Sequence, residues 1–299
     1  MTTSDLSWGF SQSRLERYRE ELRSYGLPAD TIGEELLERM AVLDALTHVL
    51  VDERRAIILA KRIFAMSPDH GVTFPAETQA LVMQGSLLTD IGKTGSPQAT
   101  PLQQYITARI FSIDDPVNRD PSTVSFRTYL RECYGDEAGD DIFYQLYGCD
   151  RDIDIDAETP AVDLLTFREF IDKHTTWGLE LLVRNHVPLR VAMTAMSHHF
   201  LESVNPHHIL DDVGRFHLLG PQAPSIGVPE ILIALLDKYD AVRTRSGANH
   251  DDAIEYLTEI VDGGQPRYRR MREHIDHLGL YERMRRMIDF IDRILKKSD

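Results

Sequence analysis

The sequence predicts an all-α protein. Apolar residues recur at helical spacing along most of the chain. No segment shows convincing polar–apolar alternation over several strands, and there is no internal repeat. A helical bundle is the architecture that buries such stripes.

Taken in order, residues 12–25 place Leu15, Tyr18 and Leu22 on one face, and Gly26 with Pro28 stops the helix. A second helix is expected to start after Asp30 and to run, with room for a break, to about Met66. Leu36, Leu37, Met40, Leu43, Leu46 and Leu50 give it a broad apolar side. Residues 76–91 read as a helix ended near Gly92. Further helices are expected over 164–184, 188–203, 228–243 and 250–261, and a long amphipathic one over 267–297. Residues 95–125 are rich in Pro, Ser, Thr and Asp and read as a loop-rich insert. Residues 135–163 carry ten acidic side chains against one basic, Arg151, and read as a solvated acidic loop. Asp150, Asp152, Asp154 and Asp156 alternate as in a calcium loop, but Ile155 and Ala161 stand where Gly and Glu are needed. The expected organisation is an N-terminal helical segment (1–38), a helical domain (39–263) with an insert at about 95–163, and a C-terminal amphipathic helix (264–299).

Composition narrows the function. At 299 residues, 42% of them hydrophobic, the chain can bury a sizeable core. A net charge of -15 repels phosphates and argues against general nucleic-acid binding. A small anionic substrate stays open if a metal supplies local positive charge. Cys133 and Cys149 are too few for a disulfide framework or a thiolate metal site. No apolar run reaches membrane-spanning length. The start, MTTSDLSWGF, lacks a basic segment followed by an apolar one, so no secretory signal is expected and the cytoplasm is the expected location. The tail from Arg267 to Lys297 is basic, ten Arg and Lys against five Asp and Glu, and reads as a solvated face or a partner for the acidic insert.

The stretch Leu87-Leu88-Thr89-Asp90-Ile91-Gly92-Lys93-Thr94-Gly95 can be read two ways. A P-loop needs a glycine five positions before Gly92, where Leu87 stands; Gly85 is two residues too far. The other reading makes Asp90 a metal ligand, and that needs partners. His48, His174, the adjacent His198 and His199, Asp237 and Asp240 each fall within or at the edge of an expected helix, among apolar neighbours. Imidazole and carboxylate together suit iron, manganese, zinc or nickel. A lone histidine on an apolar face is more often a hydrogen-bonded core residue, so the order of these residues is what makes the case.

That order, with the words around it, resembles the HD superfamily of metal-dependent phosphohydrolases, and within it the HD-GYP phosphodiesterases. The resemblance covers roughly residues 40 to 262. His48 stands for the first histidine, and Thr89-Asp90-Ile91-Gly92-Lys93 for the His-Asp-Ile-Gly-Lys signature. His174 with its following Thr-Thr-Trp-Gly matches the third element, and His198-His199 the His-His pair. Asp237-Lys238-Tyr239-Asp240-Ala241-Val242 matches the last, with Asp237 as ligand. The chain departs from the pattern in three ways. Thr89 replaces the signature histidine, only Pro206 remains of the Gly-Tyr-Pro element, and the insert before His174 is longer than usual.

The resemblance implies one or two divalent transition ions, iron or manganese first, with zinc, nickel or magnesium behind them. One ion would be held by Asp90, His174, His198 and His199, and the other by His48, Asp90 and Asp237. Asp44, one helical turn before His48, is either an added ligand there or an ordinary hydrogen-bonded residue. Lys93 would hold a phosphate oxygen, or it is a helix-end lysine near the dipole's negative pole. Arg243 or Arg245 would bind a second phosphate. His207, His208 and His217 are read as loop residues. The implied activity is metal-activated hydrolysis of a nucleotide phosphodiester, cyclic di-GMP being the family's usual substrate. The alternative is a catalytically impaired HD-GYP-like domain that binds metal or nucleotide and signals to a protein partner. Homodimerisation through the N-terminal helix stays open. Thr89→His is expected to raise metal content if Thr89 faces the site.

Overall fold

The computed structural model describes residues 9–112, 123–147, 165–201 and 225–296. The described residues form thirteen α-helices and no strand; Ser125 and Thr166 make one isolated antiparallel bridge. The helices are α1 (Gln12–Ser24), α2 (Glu34–Leu46), α3 (Val49–Met66), α4 (Ala76–Ser86) and α5 (Pro101–Phe111). Then come α6 (Phe126–Tyr134), α7 (Asp136–Tyr147), α8 (Phe167–Arg184) and α9 (Leu189–Met196). The chain ends with α10 (Val228–Arg245), α11 (His250–Asp262), α12 (Arg269–His277) and α13 (Tyr281–Leu295).

The all-α expectation is met, with local differences that have identifiable causes. α2 and α3 are parted at Thr47, whose extended backbone stops one helix while its hydroxyl bonds back to Leu43 O at 2.6 Å. Thr47 Oγ1 in turn accepts from Val49 N at 3.2 Å, at the start of the next helix. The insert expected to be loop-rich holds α5, started by a capping box between Thr100 and Gln103 and by Pro101. The expected acidic loop begins as α7, with Asp136 and Glu137 in the first turn where the helix dipole favours them. Its Asp150–Asp156 stretch lies outside the described residues. The single C-terminal helix is two: Gly279 takes a positive φ of 64°, and Leu280 N bonds back to Ile275 O at 3.0 Å.

The chain divides into two compact units. The first comprises Met1–Arg19, Gly33–Val49 and Asp90–Asn185. Its core is aromatic: Phe126 stacks on Phe170 with centroids 3.9 Å apart, and Tyr129 on Phe167 at 3.5 Å. Arg39 on α2 is buried there and donates to Thr94 O at 2.8 Å and Ser96 O at 3.0 Å, which pins the segment after Lys93. The second unit comprises Glu20–Ile32, Leu50–Thr89 and His186–Asp299. Its core is aliphatic, with Ile231 to Leu236 of α10 packed among Ile63, Val82, Met193, Leu257 and Ile291. No helix among the described residues is long and apolar enough to cross a membrane.

Candidate metal centre

Asp90 does not end a helix. α4 stops at Ser86, and Asp90 precedes a short 3-10 turn, Ile91–Thr94. That turn puts Lys93 back over Asp90, with Nζ 2.6 Å from Oδ2 and both side chains largely buried. Gly92 lies against α8. A Cβ there would collide with the carbonyl of His174 and stand 2.6 Å from Gly178 N. The glycine of the Asp-Ile-Gly-Lys run is thus required by close approach, and that approach sets the distance from Asp90 to His174.

His174 is almost fully buried on α8. Its Nδ1 meets the carbonyl of Ile171 at 2.5 Å, and its Nε2 lies 3.6 Å from Asp90 Oδ1. A carbonyl can only accept, so Nδ1 carries the hydrogen and, in the neutral ring, Nε2 carries the lone pair. A 3-10 turn, Ser197–Leu201, follows α9 and carries the histidine pair. His198 repeats the arrangement, with Nδ1 2.8 Å from the carbonyl of Ala195. The rings of His198 and His199 are 4.2 Å apart, centre to centre. Ser197 fixes the turn by donating to Thr194 O at 2.6 Å.

Asp90, His174, His198 and His199 each offer a ligand atom, and these atoms lie within 4.8 Å of one another. The donor set fits a divalent cation. Two imidazoles are held by carbonyls so that Nε2 is the lone-pair atom, and one of them faces a carboxylate oxygen. Such nitrogen and oxygen donors suit a first-row transition ion.

The remaining sequence-derived residues are placed otherwise. His48 is exposed in the break between α2 and α3 and is not part of the group. Asp44 accepts from Tyr18 Oη at 2.7 Å and Arg17 at 3.0 Å, so its carboxylate ties α2 to α1 as the hydrogen-bonded reading expects. Asp237 is half-buried on α10, 3.0 Å from Lys238, and is also outside the group. Its neighbour Asp240 is buried and paired with Arg55 at 3.0 Å; burial pushes its carboxyl up, against the pull of the guanidinium. Arg243 is half-buried on the same helix, and the side chain of Arg245 lies outside the described residues, as do His207, His208 and His217.

Thr89 is buried and its hydroxyl lies 3.4 Å from Glu53 Oε1 and 3.3 Å from Ser86 O. Glu53, a buried carboxylate on α3, has no match in the sequence reading. Its only signal was an acidic residue at the buried edge of an otherwise apolar stripe. A second group carries no motif in the sequence: ligand atoms of His250, Asp251 and Asp292 also lie within 4.8 Å of one another. There His250 joins Tyr239 Oη and Asp292, each at 2.9 Å, while Asp251 pairs with Lys296 at 3.0 Å. These partners read as a lock of α11 to α13.

Fold and site together define an all-helical protein with a candidate His/Asp metal group. No protein-family model, curated protein or solved structure matches the chain.

Proposed function

We propose that the protein is a metal-dependent phosphodiesterase or phosphohydrolase of the HD-GYP-like kind, acting on a nucleotide, with a cyclic dinucleotide such as cyclic di-GMP as the first substrate to test. The observation that carries this reading is the convergence of Asp90, His174, His198 and His199 within 4.8 Å, in the chain order that the resemblance requires. These four would hold one ion, manganese or iron by the mix of nitrogen and oxygen donors. When bound, such an ion lowers the pKa of water and offsets charge developing on phosphoryl oxygens. The carbonyls of Ile171 and Ala195 keep the two imidazoles in the ligating tautomer. Lys93, held at Asp90, brings a point charge to the place where a phosphate oxygen would stand. The net charge of -15 favours a small nucleotide over a polymer. A cytoplasmic location goes with such a substrate.

A second reading, a binding module without turnover, is favoured by Thr89, His48, Asp44 and Asp237. The first donates to Glu53, and the other three lie outside the group, so among the described residues these positions do not gather round a second ion. Elemental analysis of the purified chain with turnover of bis(p-nitrophenyl) phosphate separates the two. The hydrolase reading expects bound transition metal and manganese- or iron-dependent hydrolysis abolished by Asp90→Ala. Fully metallated protein inert on that ester and on cyclic dinucleotides would leave the binding module.

A further inference from the structure

We propose that a cavity in the first unit, walled by α8 and by the turn that follows Lys93, receives the base of the substrate, so that the ligand class is a nucleoside phosphate held by its ring; this rests on the nucleotide reading above. The cavity has a volume of about 60 Å³ and is partly open, and its walls include Gly95, Ser96, Thr107, Tyr147, Phe170 and Trp177. That is room for a few water molecules, so it takes in part of a ligand, such as one ring, and not a whole nucleotide.

Two elements of the metal group continue into these walls. On α8, Phe170, His174 and Trp177 stand at i, i+4 and i+7, one face of one helix. On the other side, the turn that carries Asp90 and Lys93 ends at Gly95, a wall residue. Gly95 has a φ of 90°, and a Cβ there would stand 3.2 Å from Thr107 Oγ1, so the wall is built for a residue without a side chain. Lys93 lies over Phe111 at 5.9 Å, and Phe111 in turn stacks on the cavity's Phe170 at 5.9 Å. The Lys93 cation is thus linked to the cavity wall through Phe111, and the proposal puts the phosphate of a nucleotide on that side.

The lining chemistry selects a heterocycle over an alkyl chain. Phe170 and Trp177 meet edge to face at 5.8 Å and offer stacking surface, and every base has a π-face to stack. Ser96 and Thr107 supply hydroxyls for ring nitrogens and carbonyls. Tyr147 adds a phenol hydroxyl, which burial pushes well above its usual range.

The chain has two tryptophans, Trp8 and Trp177, so Trp8→Phe leaves one indole, in the cavity wall. Full-length Trp8→Phe protein, stripped of metal with EDTA, is titrated with adenosine, guanosine, cytidine, uridine and ribose while its fluorescence is followed. The expected result is a saturable change with at least one nucleoside and none with ribose. Ala99→Leu, which fills the cavity, should weaken that binding about tenfold or more. Circular dichroism and melting check its fold. Should it not fold, Thr107→Val keeps the shape, removes one hydroxyl and should weaken binding about threefold or more. No saturable response to any nucleoside, or unchanged affinity in the folded variant, overturns the proposal. Turnover of bis(p-nitrophenyl) phosphate by manganese-loaded protein is read separately. Turnover without nucleoside binding leaves the hydrolase standing and removes the cavity. Nucleoside binding without turnover supports the cavity and removes the hydrolase.

Discussion

Gly92 lies directly against the carbonyl of His174, with no room for a side chain between them. The carbonyl belongs to the α8 backbone and the glycine to a short turn, so neither can give way by a rotamer change. In Gly92→Ala the turn must move off α8, and Asp90 moves with it. A loss of about 2–3 kcal/mol is expected, as for other overpacked core positions. Metal content should fall in the same variant. Denaturant melts and elemental analysis of one preparation read both. Wild-type stability in Gly92→Ala would mean that the two backbones are not in contact.

Thr89 tests whether the position before Asp90 takes part in metal binding. Its hydroxyl lies between Glu53 and the carbonyl of Ser86, both at long hydrogen-bond distance. Thr89→Val keeps the volume and removes the donor. The expected outcome is a loss of about 1 kcal/mol, the ordinary net worth of a hydrogen bond, with metal content per chain unchanged. A drop in metal content would make Thr89 a ligand instead.

Arg39 is a buried cation that serves backbone rather than solvent. It donates to Thr94 O and Ser96 O, and Glu35 stands 3.4 Å away as its counter-ion. Burial is the main force on it and brings its pKa down to about 10. Arg39→Met strands the buried Thr94 carbonyl and the part-buried Ser96 carbonyl, at a cost of about 2–4 kcal/mol. Arg39→Lys should recover little, because one ammonium cannot span two carbonyls that a planar guanidinium bridges. Thermal melts of the three proteins decide it; full rescue by lysine would sink the bridging account.

Sequence pattern carried some of this structure and hid the rest, for reasons that can be named. α1 was legible because Leu15, Tyr18 and Leu22 are helical neighbours and Gly26, with a φ of 81°, ends the helix in the usual way. The four residues of the candidate metal group stood out through words such as Asp-Ile-Gly-Lys and His-His, whose order along the chain carried more weight than any one of them. α5 was hidden because Thr100 and Pro101 look like loop composition while acting as a helix start. Asp44 was ambiguous because its partners Arg14 and Arg17 lie on α1, 30 and 27 residues away. Glu53 and His250 were illegible because a single polar residue in an apolar stripe signals burial and says nothing about its partner.

The hairpin of α6 and α7 offers a test by pH. Asp140 accepts two bonds from Arg131, at 2.7 and 2.8 Å, and a third from Arg127 Nε at 3.0 Å. The Arg131 bonds are the largest influence and hold its carboxyl at about 2, against an ordinary value of 3.8. Between those values the unfolded chain binds the proton more readily than the folded one, so stability rises with pH across that window. The contribution is complete above about pH 4 and disappears as pH falls through about 2. Solvent reaches the pair, so on the order of 1 kcal/mol is expected after screening. Asp140→Asn should therefore be less stable than wild type by that amount at neutral pH, and the two should converge in acid. Parallel denaturant melts near pH 7, 4 and 2 measure the gap. Because α7 ends at Tyr147 in the cavity wall, nucleoside binding by Asp140→Asn should weaken along with the hairpin. A gap that stays constant with pH would mean that the carboxylate, though close to both guanidiniums, contributes no charge-dependent stability.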